Sequence, residues 1–232
     1  MWKKWFVSGC AIMLALPVIA ADSRVLDGRA SATGVDKVQL DAGVGDIDIT
    51  GVAGGDEIVV SVELEPRRGG FFSSLKKAQL EVDQATLRMD ASRGVLRLEI
   101  ETDSGDRRFE ENWTIEMPAR LALDLDLGVG DVDIRSLSGA VSVDLGVGDV
   151  DAEGVSNDVT VDVGVGDATI RGPADAFGSV DGSGGVGDAR LMVRGERIES
   201  SGFVGHSAEW TGDGEHTIEL SLGVGDATVT LE

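Results

Sequence analysis

Apolar and polar residues alternate along most of this chain, which predicts β-strands with one buried face. The clearest run covers residues 121–127, where four leucines alternate with Ala122, Asp124 and Asp126. A strand is also predicted from Phe109 to Met117, stopped by Pro118. Further runs of the same period lie at residues 38–42, 57–65, 95–100, 141–145 and 159–163.

One stretch, residues 73–84, fits two secondary structures. Ser73 or Ser74 is a suitable cap for a short helix that carries Leu75, Ala78 and Val82 on one face. A strand that begins at Leu80 fits equally well. Residues 22–34 lack a clear period and read as a polar lead-in.

The sequence Gly-Val-Gly-Asp recurs six times, always between two alternating runs. Fixed-period self-similarity is the signature of stacked repeats. Eighteen residues per repeat correspond to a path of roughly 60 Å, enough for two short strands and two turns. The copies begin at Gly43, Gly128, Gly146, Gly164, Gly185 and Gly223, and the second, third and fourth are 18 residues apart.

These spacings predict an all-β fold, a parallel two-sheet β-solenoid (β-helix-like) with about 18-residue coils. Residues 57–117 are expected to add further strands at its side or end. We assign residues 22–232 to a single β-solenoid domain on this basis. Residues 1–21 are assigned to a signal peptide. Within the domain, residues 22–118 form the first coil and irregular strands, and residues 119–232 form the regular repeats.

Each residue type of the repeat suits a corner between two strands. Glycine accepts the positive φ that a sharp corner requires. The valine is expected to fill the apolar interior as a plug, and the aspartate to point outward and accept hydrogen bonds from nearby backbone amides.

The spacing changes after the fourth copy. An insertion of three residues lies near residues 172–178, and a longer interval containing His206, Trp210 and Gly212 is expected to be a degenerate coil or a loop. The final copy runs to the end of the sequence. Because an uncapped solenoid edge can pair with another chain, we expect homo-oligomer formation through a C-terminal edge unless the N-terminal half folds across it.

The N-terminus resembles an export signal. Lys3 and Lys4 precede an apolar run at residues 5–20, and Ile19-Ala20-Ala21 provides small residues for cleavage. We predict an exported protein of the periplasm or cell surface, with no membrane insertion after signal cleavage; a retained anchor is the alternative. Cys10 is the only cysteine, so the chain has no disulfide.

Composition restricts the partners. The formal net charge is −22, which disfavours nucleic acid and anionic lipid. Aromatic residues make up only 4% of the chain and tyrosine is missing, so an aliphatic core is expected.

The strongest candidate chemistry is a column of aspartates. Stacked coils would place Asp131, Asp149 and Asp167 about 5 Å apart, with Asp133 and Asp151 in a partial second column. Calcium prefers such oxygen ligands, so a calcium-binding acidic β-solenoid is one alternative function. A carboxylate-dependent enzyme acting on polysaccharides is another. Thr169, Arg190 and Thr228 interrupt the second column in later copies, and the two histidines, His206 and His216, lie in the least regular part.

The segment Asn112 to Ala119 followed by Leu121 to Ile134 carries a family resemblance. A strand that ends in Met117-Pro118, followed by Gly130-Asp131-Val132-Asp133-Ile134, resembles the DUF4097 family of putative adhesins, which is related to toast-rack and head-GIN-like β-solenoid domains. The resemblance covers residues 36–231. It implies the solenoid fold and an adhesin-like role, and it brings no functional residues.

We accordingly expect a non-enzymatic cell-envelope protein, an adhesin-like binding or structural module whose partner is an envelope protein or glycan. No catalytic, cofactor-binding or metal-binding residue is assigned, and no cofactor is expected.

Overall fold

The computed structural model describes residues 22–67, 75–103, 107–198 and 204–232. The predicted signal peptide and the predicted caps Ser73 and Ser74 lie outside these ranges. Within them the chain forms nineteen β-strands and one α-helix.

The elements of the first half are β1 (Arg24–Ser31), β2 (Lys37–Val44), β3 (Ile47–Val52), β4 (Glu57–Pro66), α1 (Leu75–Gln84), β5 (Thr86–Ser92), β6 (Val95–Glu101), β7 (Phe109–Pro118), β8 (Ala122–Val129) and β9 (Val132–Arg135). The second half contains β10 (Val141–Val147), β11 (Val150–Glu153), β12 (Val159–Val165), β13 (Ala168–Gly172), β14 (Phe177–Val186), β15 (Ala189–Val193), β16 (Glu196–Ile198), β17 (Val204–Thr211), β18 (His216–Val224) and β19 (Ala227–Leu231).

The strands form two facing sheets, as predicted. Sheet A has the order β1-β4-β7-β3-β9-β11-β13-β19-β15-β16, and sheet B has the order β17-β14-β18-β12-β10-β8-β2-β6-β5. Every Gly-Val-Gly-Asp copy joins a strand of sheet B to a strand of sheet A. Neighbouring coils pair in parallel, as in β10 with β8 and β12. The predicted parallel two-sheet solenoid is confirmed.

Antiparallel strands close both ends of the stack. β4 pairs antiparallel with β7 and with β1, and β5 pairs antiparallel with β6. At the other end β16 pairs with β15, and β17 with β14. The extra strands predicted for residues 57–117 are therefore present. The prediction of a polar lead-in at residues 22–34 is wrong for its main part, because residues 24–31 form β1 at the edge of sheet A.

Residues 75–84 form the helix rather than a strand. Ala78 and Val82 are buried on its inner face, whereas Leu80 is 55% exposed. The guanidinium of Arg24 donates hydrogen bonds to the carbonyls of Val82, Asp83 and Ala85 at the C-terminal end of this helix, where carbonyls run out of helical donors. A cation from β1 thus stabilises the helix C-terminus.

The last coil in sequence is not the last coil in space. β18 lies between β12 and β14, and β19 lies between β13 and β15. The prediction that the chain ends in an open solenoid edge is therefore wrong. The backbone of Glu232 bonds in both directions, donating to the carbonyl of Gly172 and accepting from the N–H of Ala174. Because the C-terminal strand is paired on both sides, it offers no open edge for the predicted pairing with another chain.

The core between the sheets is mainly aliphatic, as expected from the composition. Inward positions carry valine, leucine, isoleucine and alanine with almost no exposed surface. The largest buried aromatic side chains, Trp113, Phe109 and Phe177, lie outside the three regular 18-residue coils.

Candidate functional site

The Gly-Val-Gly-Asp corner requires glycine at two positions for two reasons. The second glycine has a φ of 140° to 145° in all six copies. At Gly148 an added Cβ would also lie 1.8 Å from the carbonyl oxygen of Gly130 in the preceding coil. At the first glycine, Gly146, a Cβ would lie 2.5 Å from the carbonyl oxygen of Gly128. The corners therefore stack closely because neither glycine carries a side chain.

The aspartates of the motif form a continuous hydrogen-bonded ladder. Five of the six aspartates accept a hydrogen bond at Oδ1 from the backbone N–H of the aspartate in the neighbouring coil, at 2.7–3.1 Å, and Asp188 ends the series as a donor. The spatial order of the ladder is Asp46, Asp131, Asp149, Asp167, Asp226 and Asp188. The predicted column of Asp131, Asp149 and Asp167 is confirmed, and its carboxylates bind the backbone of the next coil rather than their own turn.

Asn112 of β7 terminates the ladder. Its side-chain oxygen accepts the hydrogen bond from the N–H of Asp46 at 3.1 Å, so a neutral amide replaces the carboxylate there. Its neighbour Glu111 is only 1% exposed, and burial raises the pKa of this carboxyl group. Arg107, at 3.4 Å, and the indole N–H of Trp113, at 3.3 Å, oppose that rise.

The valine of the motif points into solvent, so the prediction of an interior plug is wrong. Five of the six copies are 45% to 48% exposed, and Val44 is half-buried. Strand pairing aligns all six side chains in register, one for each coil. At about 4.8 Å per coil they form an apolar line about 24 Å long. We call it the valine ridge, and its members in spatial order are Val44, Val129, Val147, Val165, Val224 and Val186.

A second column of aspartates runs beside the ridge on the outer face of sheet B. Asp41, Asp126, Asp144 and Asp162 are exposed and directly paired in register. Sequence reasoning missed this column, although Asp-x-Gly-Val-Gly-Asp occurs in four copies and marks it. Partial desolvation and then the charges of Asp41, Asp144 and Asp124 raise the pKa of Asp126.

Sheet A carries a neutralised version of the same pattern. Asp133 and Asp151 stack in register as the predicted partial second column, and Asp48 extends it by one coil. Arg135 contacts Asp48 and Asp133 at 3.3 and 3.0 Å, and Arg171 contacts Asp151 at 2.9 Å. The outer faces of the two sheets therefore differ. Within the described residues, the four carboxylates of the column on sheet B make no ion pair, whereas those on sheet A do.

The family model described as Toastrack DUF4097 matches residues 22–230. The chain belongs to this family. Its stacked Gly-Val-Gly-Asp corners are thus a feature of a DUF4097 domain that covers almost all of the described chain. Among curated proteins, none matches the sequence.

Solved structures with related folds include a putative cell adhesion protein from Clostridium sporogenes ATCC 15579. It is 19% identical, and the alignment covers 91% of this DUF4097 chain and 100% of that protein with a TM-score of 0.59. A putative adhesin from Bacteroides fragilis NCTC 9343 is 13% identical, with 90% and 98% covered and a TM-score of 0.35. The first of these similarities supports the DUF4097 fold.

The described part of this DUF4097 domain contains no group of three or more His, Cys, Asp or Glu side chains arranged to hold a metal ion. In the ladder, Oδ1 of each of Asp46, Asp131, Asp149 and Asp167 already accepts a backbone hydrogen bond. His216 lies 3.6 Å from Asp158, away from the ladder, and the side chain of His206 lies outside the described set. In the part of the chain that the structure describes, no helix is long and apolar enough to span a membrane.

Proposed function

We propose that this chain is an exported, non-enzymatic, adhesin-like binding module of the cell envelope. The observation that carries the proposal is the valine ridge, a regular exposed apolar line on a rigid β-scaffold. Contiguous exposed apolar side chains, unlike scattered ones, mark candidate interaction sites. Membership of the DUF4097 family and the adhesion-related description of the Clostridium sporogenes protein support the same function.

The architecture favours binding over catalysis. The corner carbonyl of Val147 accepts a hydrogen bond from Gly130, and the N–H and carbonyl of Asp149 are both bonded to the preceding coil. The Oδ1 of Asp149 accepts a hydrogen bond from the following coil. Each coil thus presents the same rigid surface, which suits a repetitive interface. The Lys3-Lys4 segment with its apolar run supports export, and the partner that we expect is an envelope component.

Cell fractionation and binding to isolated envelopes test this function. We expect the tagged protein in the periplasmic or surface fraction, and we expect labelled purified protein to bind envelopes saturably and to be displaced by unlabelled protein. A cytosolic location, or binding that unlabelled protein does not displace, would contradict the proposal.

A turnover assay tests the non-enzymatic part. We expect purified protein to release no fragments from envelope polysaccharides. The opposite result would be release of polysaccharide fragments by the wild-type protein and loss of that release in the triple variant Asp131→Asn, Asp149→Asn, Asp167→Asn. That result would establish a carboxylate-dependent enzyme. A folded triple variant, checked by circular dichroism, is required for that comparison.

A further inference from the structure

The valine ridge has a strongly acidic border along four of its six rows. A row is defined as the ridge valine together with the outer residue of sheet B three positions before it and the ladder aspartate two positions after it. The four acidic rows are Asp41-Val44-Asp46, Asp126-Val129-Asp131, Asp144-Val147-Asp149 and Asp162-Val165-Asp167. None of these eight carboxylates makes an ion pair with any described residue.

The remaining two rows are different. Serine replaces the first aspartate in Ser221-Val224-Asp226 and Ser183-Val186-Asp188. Arg190 lies 3.2 Å from Asp226 and 3.1 Å from Asp188, so it neutralises part of the ladder there. Apart from the half-buried Val44, the valines are equally exposed in both kinds of row, at 45% to 48%. The chain therefore contains an acidic ridge segment and a more neutral segment with the same apolar line.

We propose that the four acidic rows dock a basic amphipathic helix of a partner protein, with its apolar stripe on the valines and its Lys or Arg side chains over both aspartate columns. This inference rests on the proposed binding function and adds the surface and the partner class. Charge complementarity selects the partner, because carboxylates that make no ion pair with a described residue border the apolar line on both sides. A second copy of this chain, with its net charge of −22, would bring like charges to the same ridge.

The repeat distance favours a helix over an extended strand. Coils recur about every 4.8 Å and helical turns about every 5.4 Å, so the two patterns drift apart by only about 2 Å over four rows. Side chains on one face of a strand laid along the ridge recur about every 6.7 Å and would drift by about 6 Å. Long Lys and Arg side chains can absorb the smaller mismatch.

The test uses a peptide probe and variants matched within the chain. The probe is a leucine–lysine peptide of about 11 residues, which as a helix is about 16 Å long and covers the four acidic rows, with leucines on one helical face. Its controls are a scrambled peptide of the same composition and a peptide with glutamate in place of lysine. Val147→Thr with Val165→Thr alters the acidic rows, and Val224→Thr with Val186→Thr alters the serine rows. Threonine keeps the branched shape that a strand favours while placing a hydroxyl group in the contact.

Isothermal titration calorimetry with the purified protein gives the readout. We expect the lysine peptide to bind with a Kd below about 100 µM at low salt and to weaken as salt rises. The acidic-row pair should weaken binding at least about tenfold, because buried hydroxyl groups lose water without gaining a partner. The serine-row pair should change it less than about twofold. The scrambled and glutamate peptides should bind at least about tenfold more weakly.

A second pair of variants separates local from overall charge. Asp126→Asn with Asp144→Asn removes two charges from acidic rows, and Asp181→Asn with Glu219→Gln removes two charges from sheet B beside the serine rows. Only the first pair should weaken binding of the lysine peptide.

Several results would overturn the proposal: no binding, equal binding of the scrambled peptide, or equal effects of either matched pair of variants. Self-association that Val147→Thr with Val165→Thr abolishes would show that a second copy occupies the ridge instead. If the wild-type protein binds envelopes and the variant Val147→Thr with Val165→Thr binds them equally well, the ridge proposal is overturned. The proposed function would remain intact in that case.

Discussion

At the scale of single residues, the second glycine of each motif sets how closely the coils stack. Gly148→Ala would combine a φ of 140° with a Cβ placed 1.8 Å from the carbonyl oxygen of Gly130. Because that oxygen belongs to the backbone of an interior coil, the coils would have to separate locally. We expect the free energy of unfolding to fall by more than about 3 kcal/mol in urea titrations.

Gly54→Ala is the matched control for that substitution. Gly54 has a φ of 70°, also in the left-handed region, but an added Cβ would have no atom within 4 Å. Only the backbone preference is lost there, so a cost of about 1 kcal/mol is expected. Equal costs at the two sites would show that close stacking of coils is unimportant.

The aspartate ladder requires an acceptor oxygen rather than a charge. Asn112 already performs this role with an amide at the end of the ladder. We therefore expect Asp149→Asn to keep the bond to the N–H of Asp167 and to leave stability equal or higher, since it removes a like charge from the column. Asp149→Ala loses the acceptor and should cost about 1 kcal/mol in urea titrations. Equal destabilisation by both variants would contradict the ladder's proposed role.

The wrong prediction for the motif valine has a local physical cause. Leu145 is buried and Gly146 points outward, so strict alternation of period two assigns Val147 to the interior. The chain leaves the strand there, and the positive φ of Gly148 turns it into the next sheet. Residue type alone favoured burial of the valine, whereas the corner geometry faces it outward. The first aspartate of Asp-x-Gly-Val-Gly-Asp was detectable from sequence, because it lies before the corner and keeps the alternation.

At the scale of elements, the C-terminal strand is an interior element despite its position in sequence. Leu231 is fully buried and pairs with Gly172 on one side and Val193 on the other. We expect Leu231→Ala to lower the free energy of unfolding by about 3 kcal/mol, as for other large-to-small core changes. Thr230→Ala on the outer side of the same strand should cost less than about 1 kcal/mol. Guanidinium unfolding curves measure both, and a small effect of Leu231→Ala would indicate a frayed terminal strand.

Local pattern predicted the coils, but pairing across the stack decided their order. Alternation and the motif located the strand pairs from β8 to β13 because each is encoded by adjacent residues. The insertion of β18 and β19 before β14 and β15 depends on contacts between residues far apart in sequence. The 38-residue interval between the last two motifs signalled an irregularity without specifying a skipped position. Likewise, β1 alternates only between half-buried and exposed positions, a pattern too weak to distinguish it from a loop.

At the scale of the whole molecule, the response to cations separates specific calcium binding from general screening. The described residues hold no cluster of three metal-ligating side chains, and one oxygen of every ladder carboxylate except Asp188 accepts a backbone hydrogen bond from the next coil. We expect calcium and magnesium at equal ionic strength to raise the Tm equally, by screening the acidic face. Differential scanning fluorimetry after chelation gives the comparison. A rise specific to calcium would support the calcium-binding alternative.

The aspartate column on the outer face of sheet B should also give an unusual dependence of stability on pH. Desolvation and the neighbouring carboxylates, Asp41 foremost, raise the pKa of Asp126 above its ordinary value near 4. A carboxyl group whose pKa is higher in the folded state binds its proton more tightly there, so its stabilising contribution is lost as pH rises through that pKa. Asp126→Asn should therefore stabilise the protein at pH 7, and the gain should shrink as pH falls through the folded-state pKa.

Asp133→Asn is the control that removes the same charge from sheet A. Asp133 contacts Arg135 at 3.0 Å, so its loss should not stabilise the protein at neutral pH. Urea titrations of both variants and wild type across acid and neutral pH at low salt measure the difference. If both variants stabilise the protein equally, the overall charge of the chain governs the effect. If only Asp126→Asn does so, the repulsion is local to the columns beside the valine ridge, where it would be relieved by a basic partner.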